Sequence, residues 1–197
     1  MRQLLLISSE FPPLPGGIGT HAYQLAMGFA QNGYQVIVLT DRRSKDEDLE
    51  RNFDANLPFL VHRVPRMSFG QTYLARIKKA FYYLRQDQEI TVISSGKFSL
   101  WIGALLHLYH RTLNQVAVIH GTEIKAGGLM SRFLTKYSLL QFKKIIAVSN
   151  FTKSKILEVI PNATITVITN GVEITNHQSI SEIKKEGLRL ITIGNVT

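Results

Sequence analysis

The segment EFPPLPGGIGTH (residues 10–21) decides the fold of this chain. It joins an apolar run, QLLLIS (3–8), to an amphipathic stretch at 20–31. Its glycines, with Gly16 and Gly17 adjacent, leave backbone N–H groups unshielded by side chains, and a helix that starts here adds a positive dipole end. A strand, a glycine-rich loop and a helix in this order predict an α/β domain whose first turn can bind a phosphate.

Short apolar runs and amphipathic stretches alternate along the rest of the chain. We predict further strands at 35–40, 59–64, 90–94, 115–120, 144–149 and 164–169, and helices at 20–31, 72–85, 98–110, 129–142 and 151–159. Most of the runs are continuously apolar and rich in Val and Ile, which is typical of parallel strands covered on both faces. The expected fold is therefore Rossmann-like, a doubly wound α/β domain with a mostly parallel sheet of about seven strands.

Composition excludes several classes of function. The 197 residues include no cysteine, so thiolate metal sites, redox dithiols and cysteine nucleophiles are ruled out. Lysine and arginine (23) outnumber aspartate and glutamate (14), which gives a net charge of +9. The excess is local, because 57–86 contains no acid and 104–157 contains only Glu123. Such a field favours anionic partners, although a solvated basic surface has the same pattern.

The predicted helix at 72–85 combines an apolar face with a basic and aromatic one. The second face carries Arg76, Lys78, Lys79, Tyr82, Tyr83 and Arg85. A face of this kind can lie on an anionic membrane, and it can equally be the solvated side of a helix packed on a core. Membrane contact by this helix is therefore a hypothesis, whose test is salt-sensitive binding to anionic vesicles.

The glycine loop also fits a second kind of ligand site. Gly17-x-Gly19-x-x-Ala22, with Asp41 at the end of the second strand, matches a dinucleotide-binding fingerprint and would imply an NAD-dependent oxidoreductase. In that fingerprint the first glycine follows the strand almost directly, whereas here residues 10–15, with three prolines, intervene. A Gly–Pro loop without any ligand is a further alternative. Asp41 discriminates, because it should approach a ribose only in the dinucleotide interpretation.

Two acidic or histidine-containing groups suggest metal sites but lack the expected context. Asp46-Glu47-Asp48 has the D-x-D form, yet it lies in a mixed-charge stretch with no apolar strand before it, so we expect a solvated loop. His107 and His110 share a helical face without a third ligand. We expect no metal and no cofactor.

Several stretches together resemble one enzyme family. The run EFPPLPGGIGTHAYQLA (10–26) is similar to the opening of a family-four retaining glycosyltransferase of the GT-B fold. IHGTE (119–123), IIAVSNFTKSKI (145–156) and ITNGVE (168–173) follow in the family's order, and LITIGNVT (190–197) resembles the first strand of its C-terminal domain. The resemblance implies the N-terminal half of a hexosyl-type transferase in glycan biosynthesis. A sugar would pass from a nucleotide-sugar donor to a glycan, lipid or small-molecule acceptor, with retention and without a metal.

The resemblance also implies roles for particular residues. Gly16 and Gly17 match the glycine pair that faces the donor diphosphate, and N–H donors there suit a leaving group that gains negative charge. His120 matches the catalytic histidine that reaches the transferred sugar. The positions expected at the acceptor are Gly19, Thr20, His21, Glu123 and Lys125.

Domain boundaries follow from composition and the resemblance together. We expect an acceptor-side domain at 1–173, a polar linker at 174–187 and the start of a truncated donor-binding domain at 188–197. A fragment of this kind is expected to be inactive alone. The N-terminus predicts a buried strand rather than a signal peptide, and the expected location is cytoplasmic, at or near the membrane surface. No nucleic-acid partner is expected. The alternative class is a non-catalytic domain that binds an anionic ligand or a membrane.

Overall fold

The computed structural model describes residues 2–87, 89–125 and 128–171. The expected linker at 174–187 and the segment 188–197 lie outside the described residues. The strands are β1 (Gln3–Ser8), β2 (Gln35–Asp41), β3 (Leu60–Val64), β4 (Thr91–Ser95), β5 (Gln115–Ile119), β6 (Lys144–Ala147) and β7 (Ile165–Val167). The helices are α1 (Gly17–Gln31), α2 (Glu47–Ala55), α3 (Phe69–Gln86), α4 (Lys97–Tyr109), α5 (Thr122–Lys125), α6 (Leu129–Leu139) and α7 (Asn150–Val159).

The strands form one parallel sheet in the order β3-β2-β1-β4-β5-β6-β7. Leu5 of β1 pairs with Ile37 of β2 on one side and with Val92 of β4 on the other. The strand order therefore reverses between β1 and β4, and the strand-to-helix loops on either side of that point diverge to leave a crevice. The predicted doubly wound α/β fold is confirmed.

Continuous apolar runs arise because both faces of the sheet are covered. Leu5 and Ile7 belong to the core on the side of α3, whereas Leu4 and Leu6 pack on the other side with α1. All four leucine and isoleucine side chains are fully buried. Successive side chains of a strand point to opposite faces, so a strand covered on both sides needs apolar residues at every position.

The acidic stretch expected to be a solvated loop is instead helical. Asp46 is the N-cap of α2, and its side chain accepts hydrogen bonds from the backbone N–H groups of Asp48 (3.0 Å) and Leu49 (3.3 Å). The remaining acids lie in the first turn, where they stabilise the positive end of the helix dipole. The loop prediction was wrong because α2 has only two large apolar residues, Leu49 and Phe53, and depends also on its cap and on tertiary ion pairs.

The basic face expected on α3 is smaller than its sequence suggests. Arg76 is 3% exposed and Tyr83 is 8% exposed, so both belong to the interior. Lys78 and Arg85 are exposed, and the Lys79 ammonium lies 4.5 Å from the centre of the Tyr82 ring. No helix of the described residues has the length and apolar character needed to cross a bilayer.

Candidate functional site

The loop after β1 places the first turn of α1 at the crevice. The helix begins at Gly17, three residues earlier than its predicted start at Thr20, with Gly16 as the N-cap. Backbone N–H and side-chain Oγ1 of Thr20 both donate to the Gly16 carbonyl, at 2.9 and 3.0 Å. No side chain caps this helix, so the N–H groups of the first turn are available to an anionic ligand.

The glycines of the loop have different surroundings. Gly17 is exposed, and a Cβ added there would meet no atom within 4 Å. A Cβ at Gly16 would collide with the Glu10 carboxylate, which is the end of a flexible side chain. Gly19 is buried, and a Cβ there would lie 3.1 Å from the backbone nitrogen of Phe11. Gly19 therefore allows α1 to pack closely on the loop, while Gly17 presents open backbone. The acceptor role of Gly19 stays a prediction.

A buried arginine holds the first part of this loop. The Arg63 guanidinium donates to both carboxylate oxygens of Asp54, at 2.7 and 2.8 Å, and to Glu50 at 3.2 Å. It also donates to the carbonyl of Pro12. The Arg63 side chain is 6% exposed and that of Glu50 only 2%. This network ties β3 and α2 to the proline-rich loop, whereas in the sequence Arg63 is only one of the basic residues in the acid-free stretch 57–86.

A second arginine holds the end of the loop. Arg43 Nη2 donates to the Pro15 carbonyl at 3.2 Å. Its backbone N–H donates to Glu50 at 2.9 Å, which connects this contact to the Arg63 network. The Arg43 Nη1 atom is buried and would lie 3.4 Å from a Cβ at Gly16, so a guanidinium stands directly beside the expected diphosphate position.

The histidine expected to be catalytic lies at the end of β5, facing α1. His120 Nε2 is 3.0 Å from Ser95 Oγ at the end of β4. The His120 ring meets the ring of His21, on the first turn of α1, edge to face with a centroid distance of 5.0 Å. His21 Nδ1 is buried and finds no hydrogen-bond partner among the described residues. The start of α1 and the ends of β4 and β5 thus bring His21, Ser95 and His120 together.

Glu123 orients this loop from inside. Its carboxylate accepts from the backbone N–H of His120 at 3.1 Å and from that of Gly121 at 2.8 Å, and the residue is 2% exposed. Burial raises the pKa of Glu123, while these backbone hydrogen bonds and Lys97 act in the opposite direction. The carboxylate thereby fixes the backbone that carries His120. Lys125 ends α5, and the acceptor roles of Thr20, His21, Glu123 and Lys125 stay predictions.

Both histidines are held in the neutral form. Burial lowers the pKa of His21, and the neighbouring His120 lowers it further. Burial also lowers the pKa of His120, partly offset by the Glu10 carboxylate. A neutral imidazole can donate one hydrogen bond and accept another, which suits contact with a sugar hydroxyl.

We expect the domain to lose stability as the pH falls below about 6.5, the ordinary histidine value. Because folding lowers the pKa of His21 and His120, the unfolded chain binds protons at a higher pH than the folded one, so protonation favours unfolding. Urea midpoints at about pH 7.5 and pH 5.5 measure the loss, and His21→Gln/His120→Gln should reduce it. Part of the pH dependence of stability should remain in the double variant, because burial also lowers the pKa of His62 and of His107. An unchanged slope in the double variant contradicts the assignment.

A cavity of about 350 Å³ opens at the same edge of the sheet. Its walls include Glu10, Ile18, Arg43, Lys97 and Glu123. A neighbouring cavity of about 300 Å³ shares Asp41, Arg66 and Phe98 with it. The pair therefore forms a continuous cleft along the ends of β1 to β4. Within the described ranges, no group of three or more His, Asp or Glu side chains could hold a metal ion.

Two residues of the site, Ser95 and Gly96, were not identified from the sequence. Gly96 is the N-cap of α4 with φ +88, and a Cβ there would lie 2.3 Å from Ser9 Oγ. A glycine is therefore required where the loops after β1 and β4 touch. Ser95, before it, binds His120. The position of Gly96 between a predicted strand and a predicted helix is the sequence signal that could have identified this strand-to-helix turn.

Asp41 has a structural partner instead of a ribose. Arg76 Nε donates to Asp41 Oδ1 at 2.9 Å, and Nη2 donates to Oδ2. Both carboxylate oxygens are thus bound to a guanidinium that is almost fully buried. The surroundings of Asp41, which were expected to distinguish the dinucleotide interpretation, therefore do not favour it.

Comparison with known proteins identifies the family. Residues 15–176 match the model of Glycosyltransferase Family 4. No curated protein matches the chain significantly. Crystal structures of HepE from Anabaena, one with UDP and one with UDP and glucose, have TM-scores of 0.63 and 0.62 at 16% and 14% identity. Each covers 88% of this chain, which spans 45% of that protein.

Two further structures share the fold. A glycosyltransferase from Rickettsia africae has a TM-score of 0.59 at 19% identity over 87% of this chain and 43% of its own. The UDP-GlcNAc 2-epimerase from Methanocaldococcus jannaschii has a TM-score of 0.55 at 11% identity, covering 85% of this chain and 45% of its own. The chain thus spans less than half the length of these proteins, and the likeness shows the fold alone. The family model covers most of the chain, and the chain belongs to Glycosyltransferase Family 4.

Proposed function

We propose that this domain is the acceptor-side half of an enzyme that transfers a sugar from a nucleotide-sugar donor, with retention of configuration. The observation that carries the proposal is the contact between His21 and His120, with ring centroids 5.0 Å apart. It brings the uncapped first turn of α1 beside the histidine that follows β5. An anion site and a neutral hydrogen-bonding group then face one crevice, as transfer from a diphosphate leaving group requires.

The first turn of α1, His120 and the cleft would each have a separate role in the transfer. Backbone N–H groups at Gly16 and Gly17, with the Arg43 guanidinium beside them, would stabilise the charge that develops on the departing diphosphate. His120, kept neutral by burial and held by Ser95, would hydrogen-bond a hydroxyl of the transferred sugar. The cleft along the ends of β1 to β4 would hold the acceptor and orient it toward the sugar.

UDP-hexoses are the first donors to test, because HepE structures contain UDP and glucose. The experiment incubates the full-length protein with UDP-glucose and other nucleotide sugars, with and without extracts that supply acceptors. Release of the nucleoside diphosphate with formation of a glycoside supports the proposal, and proton NMR of that glycoside reports retention. Conversion of UDP-GlcNAc to its 2-epimer without any transfer would contradict it, since an epimerase shares this fold.

His120→Ala in the full-length enzyme should lower kcat about tenfold to 100-fold and change donor affinity much less. The contact to the sugar is expected to strengthen as charge develops in the transition state, so its loss affects turnover more than binding. Initial rates and calorimetric titration of the donor measure the two effects. His110→Ala is the matched control, because His110 ends α4 and its ring contacts only Thr112 in the hydrogen-bond network of the described residues. Equal losses in kcat and donor affinity would assign His120 to ground-state binding instead.

We also propose peripheral contact of the enzyme with an anionic membrane on the cytoplasmic side. The local excess of basic residues supports this contact. The face of α3 supports this contact less than its sequence suggests, because Arg76 and Tyr83 are buried.

A further inference from the structure

The outer face of α6 is apolar where a surface helix is normally polar. Six large apolar side chains are exposed there: Leu129 (85%), Met130 (72%), Phe133 (65%), Leu134 (38%), Tyr137 (44%) and, just after the helix, Leu140 (59%). We call these six residues the α6 surface. They follow a spacing of three and four, so they form one continuous stripe. Single exposed apolar residues are common on protein surfaces, but a contiguous stripe of six marks an interaction site.

The inner face of the same helix has the opposite character. Thr135 and Ser138 are buried there, together with Leu139. Trp101 of α4 donates its indole N–H to Thr135 Oγ1 at 3.2 Å, and Thr135 donates to the Ser131 carbonyl. The helix is therefore packed on α4 largely through small and hydroxyl-bearing residues. Packing on the core does not explain the apolar stripe, which points away from it.

The exposed charged side chains on α6 and in the four described residues that follow Leu140 are all basic. Arg132 and Lys136 are exposed on the helix, and Lys143 and Lys144 are exposed just beyond it. The single acid between residues 104 and 157 is Glu123, which is buried and bonded to backbone N–H groups. No exposed acid of this stretch offsets those four cations, which favours an anionic partner.

We propose that the α6 surface docks on an anionic lipid bilayer. An apolar stripe flanked by lysine and arginine suits the interface, where apolar side chains enter the acyl boundary and cations meet lipid phosphates. A protein partner or a second copy of this chain would bury the stripe equally well. The exclusively basic flank favours lipid, because a second copy would bring the same four cations into contact with these. The proposal does not depend on the sugar-transfer chemistry.

The test is co-sedimentation of the protein with vesicles of phosphatidylcholine alone and with about 30% phosphatidylglycerol added. The protein should bind the anionic vesicles and lose binding between about 50 mM and 500 mM salt. Leu129→Ser/Phe133→Ser should weaken that binding at least about tenfold. Arg132→Gln/Lys136→Gln should weaken it about 25-fold at low salt, because each cation near the surface contributes about fivefold.

Leu74→Ser on α3 is the matched control, since Leu74 is 57% exposed and lies on the helix whose sequence first suggested membrane contact. It should bind vesicles like the wild type. Far-ultraviolet circular dichroism checks that each variant is folded. If one of the two double variants does not fold, the other still tests the proposal. Binding to neutral vesicles as strong as to anionic ones would overturn the proposal. So would an unaffected Arg132→Gln/Lys136→Gln variant, or a stable dimer that does not bind vesicles.

Discussion

Gly17→Val is expected to lower kcat/KM for sugar transfer by the full-length enzyme about 100- to 1000-fold, the range for losing one preorganised N–H donor to a developing anion. Gly17 is exposed and a Cβ there meets no atom within 4 Å, so the domain itself tolerates the side chain. A valine would instead occupy the space through which a diphosphate approaches the backbone of the first turn. Steady-state rates with a saturating acceptor measure the loss.

Gly28→Val is the matched control for this substitution. Gly28 lies on the same helix, and an added Cβ meets nothing within 4 Å there either. The control adds the same side chain to the same helix but leaves the approach to the loop unchanged, so it should retain wild-type turnover. Thermal midpoints of the two variants should agree within a few degrees. Wild-type activity of Gly17→Val would contradict the proposal that the donor diphosphate binds at the first turn of α1.

Arg63→Met should lower the free energy of unfolding by about 3–5 kcal/mol, the cost of breaking a buried ion pair by removing one partner. The substitution leaves the buried Glu50 carboxylate and the Asp54 carboxylate without their guanidinium. It also leaves the Pro12 carbonyl without its donor. For a domain of this size the melting temperature should fall by about 10 °C, which differential scanning calorimetry measures directly.

Arg51→Met provides the comparison with a surface ion pair. Arg51 lies on the same helix as Glu50, but its side chain is 71% exposed and its partners, Glu47 and Asp48, are also exposed. Water and salt already screen those charges, so the loss should be about 1 kcal/mol or less. Similar melting temperatures for the Arg63 and Arg51 variants would show that the Arg63 network does not hold the loop.

Regular elements with an apolar period were predictable from the sequence. Each observed strand overlaps its predicted segment, and the five predicted helices form with ends shifted by a few residues. The helix α2 was not predicted, because its nine residues are mainly polar and its N-cap Asp46 looks like part of a charged loop. The four-residue α5 is too short to show any period.

The charged residues show where sequence reasoning reached its limit. Arg63 and Arg76 add to the excess of basic residues counted in the sequence. In the structure each is buried and paired with carboxylates. Arg76 and its partner Asp41 are 35 positions apart in the chain, and Arg63 lies 13 positions from Glu50. Because ion pairs depend on strand order, no spacing rule identifies them. The same pairing gives Asp41 a structural partner, which does not favour its role as a ribose ligand. Burial of Arg76 also reduces the basic face of α3, so α6 is the better candidate for contact with a membrane.

The sequence by itself determined the parallel α/β fold, the glycine-rich first turn and the family. These follow from local properties, namely apolar runs, the backbone freedom of glycine and short motifs in order. The tertiary structure alone decided which residues share the crevice, such as His21 on α1, Ser95 at the end of β4 and His120 just after β5. It also decided which charges are neutralised and that the apolar stripe of α6 points outward. Burial and pairing are properties of contacts between distant segments, and the order of the strands fixes those contacts.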